Sequence, residues 1–205
     1  MRIKSIKSES KAKTSDDQLR LELSDGSLFS LRICYLPPEV DPDAAVEGME
    51  IDSSEEAAFR FASACLRAEK AALKLIARAE QTSFGIARKL EKRGHEAACV
   101  RAVLSRLTEL ELLNDRRFAR LWLDYRLRLT RSPRRLISAL CGRGIDRDDA
   151  EDALKSALDE ETELALLSRF VKKYRRKAEG GSIKYLLKNE GFSRQAIQKF
   201  LDTEE

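Results

Sequence analysis

The 205-residue chain is 42% hydrophobic and 36% charged, enough to bury a core but short for two large domains. Its low aromatic content and its wealth of Leu, Ala, Arg, Lys and Glu favour helices over a β-sandwich. No run approaches the ~18 apolar residues of a membrane span, and Met1 is followed by Arg2, Lys4 and Lys7 instead of an apolar signal core, so a cytoplasmic protein with no membrane partner is expected.

The net charge of +4 hides an asymmetry. Residues 37–66 carry eight acids against the single base Arg60, whereas residues 67–205 carry 31 Lys/Arg against 22 Asp/Glu, an excess of nine positive charges. The larger part therefore suits a polyanionic partner. Cys34, Cys65, Cys99 and Cys141 lie at least thirty residues apart and contain no C-x-x-C pair, so they read as reduced packing residues and not as a metal or redox site.

In chain order, residues 1–16 are polar and basic without periodicity and read as a loose tail. Leu19, Leu21 and Leu23 alternate with polar residues, Asp25-Gly26 supplies a turn, and Phe29, Leu31 and Ile33 alternate again, which predicts a β-hairpin. Pro37-Pro38 and Pro42 among acids then predict an extended connector to about Ser53. Ser53-Ser54-Glu55-Glu56 offers a hydroxyl N-cap and a capping carboxylate for a long helix over 55–79.

An internal repeat organises the rest. Gly94, Gly144 and Gly191 are spaced by 50 and 47 residues. Eight residues before them stand Ile86, Leu136 and Ile183; four before, Leu90, Leu140 and Leu187; six after, Val100, Ala150 and Ile197; ten after, Leu104, Leu154 and Leu201. Apolar residues four apart form one helical stripe, and each glycine is placed to end a helix in the left-handed conformation. Asp146 and Ser193 are good N-caps for the helices that follow, and Glu96 is a weaker one. With a preceding helix in each unit, at about 55–79, 116–130 and 161–177, the reading is all-α: tandem three-helix repeats in a curved elongated array, with a small N-terminal β-hairpin appendage. The expected segments are 1–52 (tail, hairpin, connector), 53–114, 115–159 and 160–205 (repeats one to three).

Catalytic chemistry is not in view. His95 is the only histidine, Gly180-Gly181 is not a phosphate loop, and Asp146, Asp148, Asp149 and Asp152 begin a helix, where carboxylates oppose the dipole. No catalytic residue, metal or cofactor is expected. The binding signals are clearer. Over 116–131, Phe118, Leu121, Trp122, Tyr125 and Leu129 fall within about 100° on a helical wheel and read as the core stripe. Arg117, Arg120, Arg128 and Arg131 fall on another face. Between 116 and 147 there are ten arginines, no lysines and two acids, a bias toward planar, bidentate recognition of phosphate or carboxylate. Arg134, Arg135 and Arg143 extend this set, and Lys172, Lys173, Arg175 and Arg176 form a second basic run.

The run Leu-Leu-Asn-Asp-Arg-Arg-Phe-Ala-Arg-Leu-Trp at 112–122, followed by Arg126, resembles the central hallmark of the RecX regulatory proteins. Ser132-Pro133 with Leu136 and Gly144-Ile145 resemble the family's second repeat, and Gly191-Phe192-Ser193 with Ile197 its third, so the resemblance covers roughly 66–205. Gly85 and His95 depart from it in the first repeat. The resemblance implies a cytosolic modulator, usually an inhibitor, of the RecA recombinase. Such a protein lies in the groove of the recombinase–DNA filament and suppresses strand exchange and ATP hydrolysis. The arginines by themselves predict weak, non-specific affinity for naked DNA, and the chain is expected to be a monomer. The alternatives are a stand-alone DNA- or RNA-binding repeat protein, such as a transcriptional regulator, and a purely structural helical scaffold.

Overall fold

The computed structural model describes residues 1–8, 17–129, 131–174 and 183–204. Among them the chain is mostly helical, with a small antiparallel sheet at the N-terminus. It divides into two compact units, Met1–Glu80 with Ile86–Leu113 and Gln81–Gly85 with Asn114–Glu205.

In the first unit the sheet has three strands where a hairpin behind a loose tail was expected. β1 (Ile3–Ser8) pairs antiparallel with β2 (Gln18–Leu23), which pairs with β3 (Leu28–Arg32). Residues 9–16 of the expected tail lie outside the described residues. What makes a strand of Ile3–Ser8 is long-range: Ile3 is buried opposite Leu23, and the connector returns alongside it. Ile3 N donates to Met49 O at 2.9 Å, Gly48 N donates to Ile3 O at 2.8 Å, and the N-terminal amine donates to Ile51 O at 2.9 Å. The connector is thus pinned, with Tyr35, Ala45 and Ile51 buried, and Ile33 sits in a 3-10 turn beyond β3.

Leu19, Leu21, Leu23, Phe29 and Leu31 share the buried face of the sheet, as their alternation requires. That face packs on α1 (Ser53–Ile76) through Phe59, Ala62, Cys65 and Ala68. Each fully buried Leu contributes about 1.5–3 kcal/mol here, so the sheet is held by its apolar face and not by hairpin propensity. α1 starts one residue earlier than Ser53 would cap it. Asp52 is the N-cap, its carboxylate accepting from Ser54 N and Glu55 N while Glu55 accepts from Asp52 N. A carboxylate caps as well as a hydroxyl and also opposes the helix dipole. α2 (Ser83–Glu91) and α3 (Ala97–Glu109) follow.

At the centre of this unit lies buried Glu69 of α1. Arg32 Nε donates to its Oε2 at 3.0 Å, and Arg106 Nε of α3 stands 3.9 Å from Oε1. One carboxylate thereby ties sheet, α1 and α3 together. Beside it, burial first and the Glu69 charge second push the Tyr35 phenol far above its ordinary range.

In the second unit α4 (Asp115–Arg126), α5 (Pro133–Cys141) and α6 (Arg147–Ala157) precede α7 (Glu160–Tyr174), α8 (Ile183–Asn189) and α9 (Arg194–Glu204). Ala119, Leu123, Leu136, Leu140, Ala150, Leu154, Phe170, Leu187 and Ile197 belong to one core. Gly94, Gly144 and Gly191 all adopt positive φ, at 83°, 85° and 88°, as the repeat predicts. Asp146 and Ser193 cap with their side chains, to Asp148 N and Ala196 N, while Glu96 makes no side-chain cap bond.

The repeat also recurs as a joint. Thr82 Oγ1 donates to the carbonyl of Arg143, just before Gly144, and Ser132 Oγ, fifty residues on, donates to the carboxylate of Glu190, just before Gly191. A Cβ on Gly144 would lie 2.2 Å from the Phe84 Cβ, and one on Gly191 would lie 3.2 Å from Arg134 N. These two glycines therefore serve both the helix stop and the close approach of an earlier helix start.

Candidate partner and nucleic-acid interface on α4 and α5

α4 begins at Asn114, whose side chain accepts from Arg117 N at 2.9 Å. Its buried stripe is Ala119 and Leu123, continued by Leu127, packed against α6. This corrects the wheel reading. Leu121 is 54% exposed, Tyr125 63% and Leu129 38%, and Phe118 and Trp122 are only half-buried. The physical reason is close helix approach: Ala119 meets a neighbour that presents Ala150 and Ala153, and small residues win the interface over bulkier ones.

The outward face therefore mixes apolar and cationic groups. Arg120, Arg128 and Arg131 are exposed, and no ion pair engages them among the described residues. Arg117 is half-buried. Arg134 and Arg135 are exposed at the start of α5; Arg134 Nη1 donates to Asn189 O at 3.4 Å, and Arg135 lies 5.5 Å over the Tyr174 ring and 3.7 Å from Glu190. Arg143 is spent locally, its guanidinium 4.9 Å over the Trp122 ring and its Nη1 donating to Ala139 O at 2.6 Å.

Arg126, absent from the sequence-derived set, packs over both Trp122, at 5.2 Å, and Tyr125, at 5.6 Å. It holds the aromatic pair in place. Lys172 and Lys173 are exposed on the last turn of α7, Lys173 near the Tyr174 ring; Arg175 and Arg176 lie outside the described residues.

Two of the acids at the start of α6 are engaged locally. Asp146 caps α6, and Asp149 accepts from Arg116 Nε at 2.9 Å. Among the described residues no group of three or more His, Cys, Asp or Glu side chains would hold a metal ion. His95 is half-buried, and burial, followed by the charges of Arg67 and Arg93, lowers its pKa below the ordinary 6.5. An open cleft of about 800 Å³ beside α5 is lined by charges of both signs, Arg134, Arg147 and Lys155 with Glu151 and Glu163. No helix among the described residues is long and apolar enough to cross a membrane.

Comparison with known proteins points to one family. The family model described as the RecX second three-helix domain matches residues 114–154, the segment that carries α4, α5 and most of α6. A regulatory protein RecX of Treponema pallidum (strain Nichols) is 35% identical over 146 residues, covering 70% of this chain and 89% of the relative. That of Pseudomonas fluorescens (strain SBW25) is 36% identical over 86 residues, covering 42% of this chain and 56% of the relative. A crystal structure of regulatory protein RecX superposes with a TM-score of 0.71 at 20% identity over 98% of both chains. That of RecX from Lactobacillus salivarius gives 0.56 at 22% identity over 68% of this chain and 96% of the other. These two likenesses establish the fold.

The fold is that of a mostly helical regulatory protein with a small N-terminal sheet. The chain belongs to the RecX family of regulatory proteins.

Proposed function

We propose that this protein regulates the RecA recombinase, in the direction of inhibition, by lying in the groove of the recombinase–DNA filament in the cytoplasm, and that it acts by binding and not by catalysis. The observation that carries the reading is the run of exposed arginines at Arg120, Arg128, Arg131, Arg134 and Arg135 on a segment that matches the family. A guanidinium holds its charge at any physiological pH and grips phosphate through two hydrogen bonds. Arg117, Arg143, Lys172 and Lys173 complete the proposed partner-contacting set. Contacts with phosphates position a protein without reading bases, so affinity for naked DNA is weak, independent of sequence and steeply salt-dependent.

The test mixes the purified chain with RecA, single-stranded DNA and ATP, and follows ATP hydrolysis and co-sedimentation. Several contacts made at once raise the effective concentration, so substoichiometric chain should slow hydrolysis and pellet with the filament. Inhibition that begins only when the chain saturates the DNA would instead support a stand-alone DNA- or RNA-binding protein.

A further inference from the structure

The apolar residues on the outward side of α4 are in excess of what its packing uses. Leu121 and Tyr125 sit one turn apart on the helix, and Leu129 follows in the turn after it; all three are exposed in the full chain. We infer that Leu121, Tyr125 and Leu129 form a protein-docking strip among the arginines. Its occupant is an apolar groove with an acidic rim on the protein component of the filament. The inference rests on the functional reading above and names the apolar part of that surface as the part that meets only protein.

Three observations select a protein groove. The first is spacing: Leu121 and Tyr125, four residues apart, project from α4 as one row, the pattern by which a helix enters an apolar groove, and exposed Leu129 extends the apolar surface just past the helix end. The second is shape. Two of the three are leucines, whose branched ends offer no flat face, whereas stacking on nucleic-acid bases calls for planar side chains in succession. The third is charge. Arg120, Arg128 and Arg131 flank the row, and Asp124 is the only acid between 116 and 145, so the complementary rim is acidic.

The test uses the full chain and two variants, Leu121→Ala/Tyr125→Ala/Leu129→Ala and Arg120→Ala/Arg128→Ala/Arg131→Ala. Far-UV circular dichroism checks the fold. Anisotropy with a labelled single-stranded oligonucleotide measures naked-DNA binding, and co-sedimentation with RecA filaments on single-stranded DNA and ATP measures filament binding. For the apolar variant, filament affinity should fall by about thirtyfold or more, the loss typical of removing an anchor at the centre of an interface, while naked-DNA affinity stays within about twofold. The arginine variant should show the larger loss on naked DNA. If the apolar variant loses its helicity, the single change Leu121→Gln, uncharged and at an exposed position, takes its place and should produce the same split.

Parallel loss of naked-DNA and filament binding by the apolar variant would make the strip a nucleic-acid platform and overturn the inference. Undiminished filament binding would overturn it as well. A wild-type chain that fails to pellet with filaments while still binding DNA would overturn the functional reading itself, a result distinct from either.

Discussion

Gly144→Ala tests the joint between successive repeats. The substitution meets two costs that the structure separates. At φ +85° an alanine sits in the left-handed region, at about 1–2 kcal/mol. Its Cβ would also lie 2.2 Å from the Phe84 Cβ, so Phe84 must move, an overpacking cost of about 1–3 kcal/mol. A total loss of about 2–5 kcal/mol is expected. Urea unfolding followed by the fluorescence of Trp122, the only tryptophan, reports on the unit that contains the joint. The control is Gly144→Ala/Phe84→Gly, because the nearest atom is the Phe84 Cβ, which alanine would keep. With that side chain gone the contact cost disappears, so the double variant should be more stable than the sum of its single changes predicts by about 1–3 kcal/mol. Gly94→Ala, at φ +83° but with nothing within 4 Å of the added carbon, should cost only the conformational part, read by circular dichroism. Additive effects of Gly144→Ala and Phe84→Gly would refute the joint, because they would show that the loop tolerates the added carbon without Phe84 giving way.

Glu69→Ala should destabilise the first unit by about 3–5 kcal/mol in urea, since it removes the buried carboxylate that the largely buried guanidiniums of Arg32 and Arg106 share. Buried Leu123→Ala should cost about 2–5 kcal/mol, but Tyr125→Ala less than about 0.5 kcal/mol by the same measurement, because only Leu123 is in the core. Thiol labelling of the native chain should reach half-buried Cys34 and Cys141 before Cys65 and Cys99. Burial pushes the Cys65 thiol far above its ordinary range, and Cys99 beside it adds to the effect. The folded chain binds fewer protons at His95 than the unfolded chain, because its folded pKa is lowered from 6.5. Stability present above about pH 6.5 should therefore be lost as pH falls through that value, and His95→Gln should flatten this part of the curve.

What was legible in the sequence was the chemistry that acts locally. Gly94, Gly144 and Gly191 announce positive φ because a helix that stops and turns within two residues has few other solutions, and Asp146 and Ser193 cap because an orphan amide lies within reach of a short polar side chain. The alternation at Leu19, Leu21, Leu23, Phe29 and Leu31 gave both the hairpin and its buried face. The first strand was not legible, because Ile3 and Ile6 stand among lysines and serines with no alternation to betray them. Its partners are Leu23, some twenty residues on, and the backbone of Met49 and Gly48 beyond the prolines. The joint was half visible: the spacing of the glycines was plain, but nothing local says that Thr82 and Ser132 reach the loops before Gly144 and Gly191.

α4 shows a different limit. Its sequence contains two apolar stripes, the five large residues Phe118, Leu121, Trp122, Tyr125 and Leu129, and the smaller set Ala119, Leu123 and Leu127. Periodicity identifies the helix from either one and leaves the buried face undecided, because hydrophobic bulk measures what a side chain gains by leaving water and not how near a neighbouring helix can come. Against α6, which presents Ala150 and Ala153, close approach decides, and the stripe built around alanine goes inside. The larger stripe is then left without an internal use, half of it resting on the core through Phe118 and Trp122 and half facing water. Apolar surface retained on the outside of a helix that already has a packed face costs solubility without adding to stability. The docking proposed above gives that surface a use, beside Arg120, Arg128 and Arg131, which no ion pair engages among the described residues.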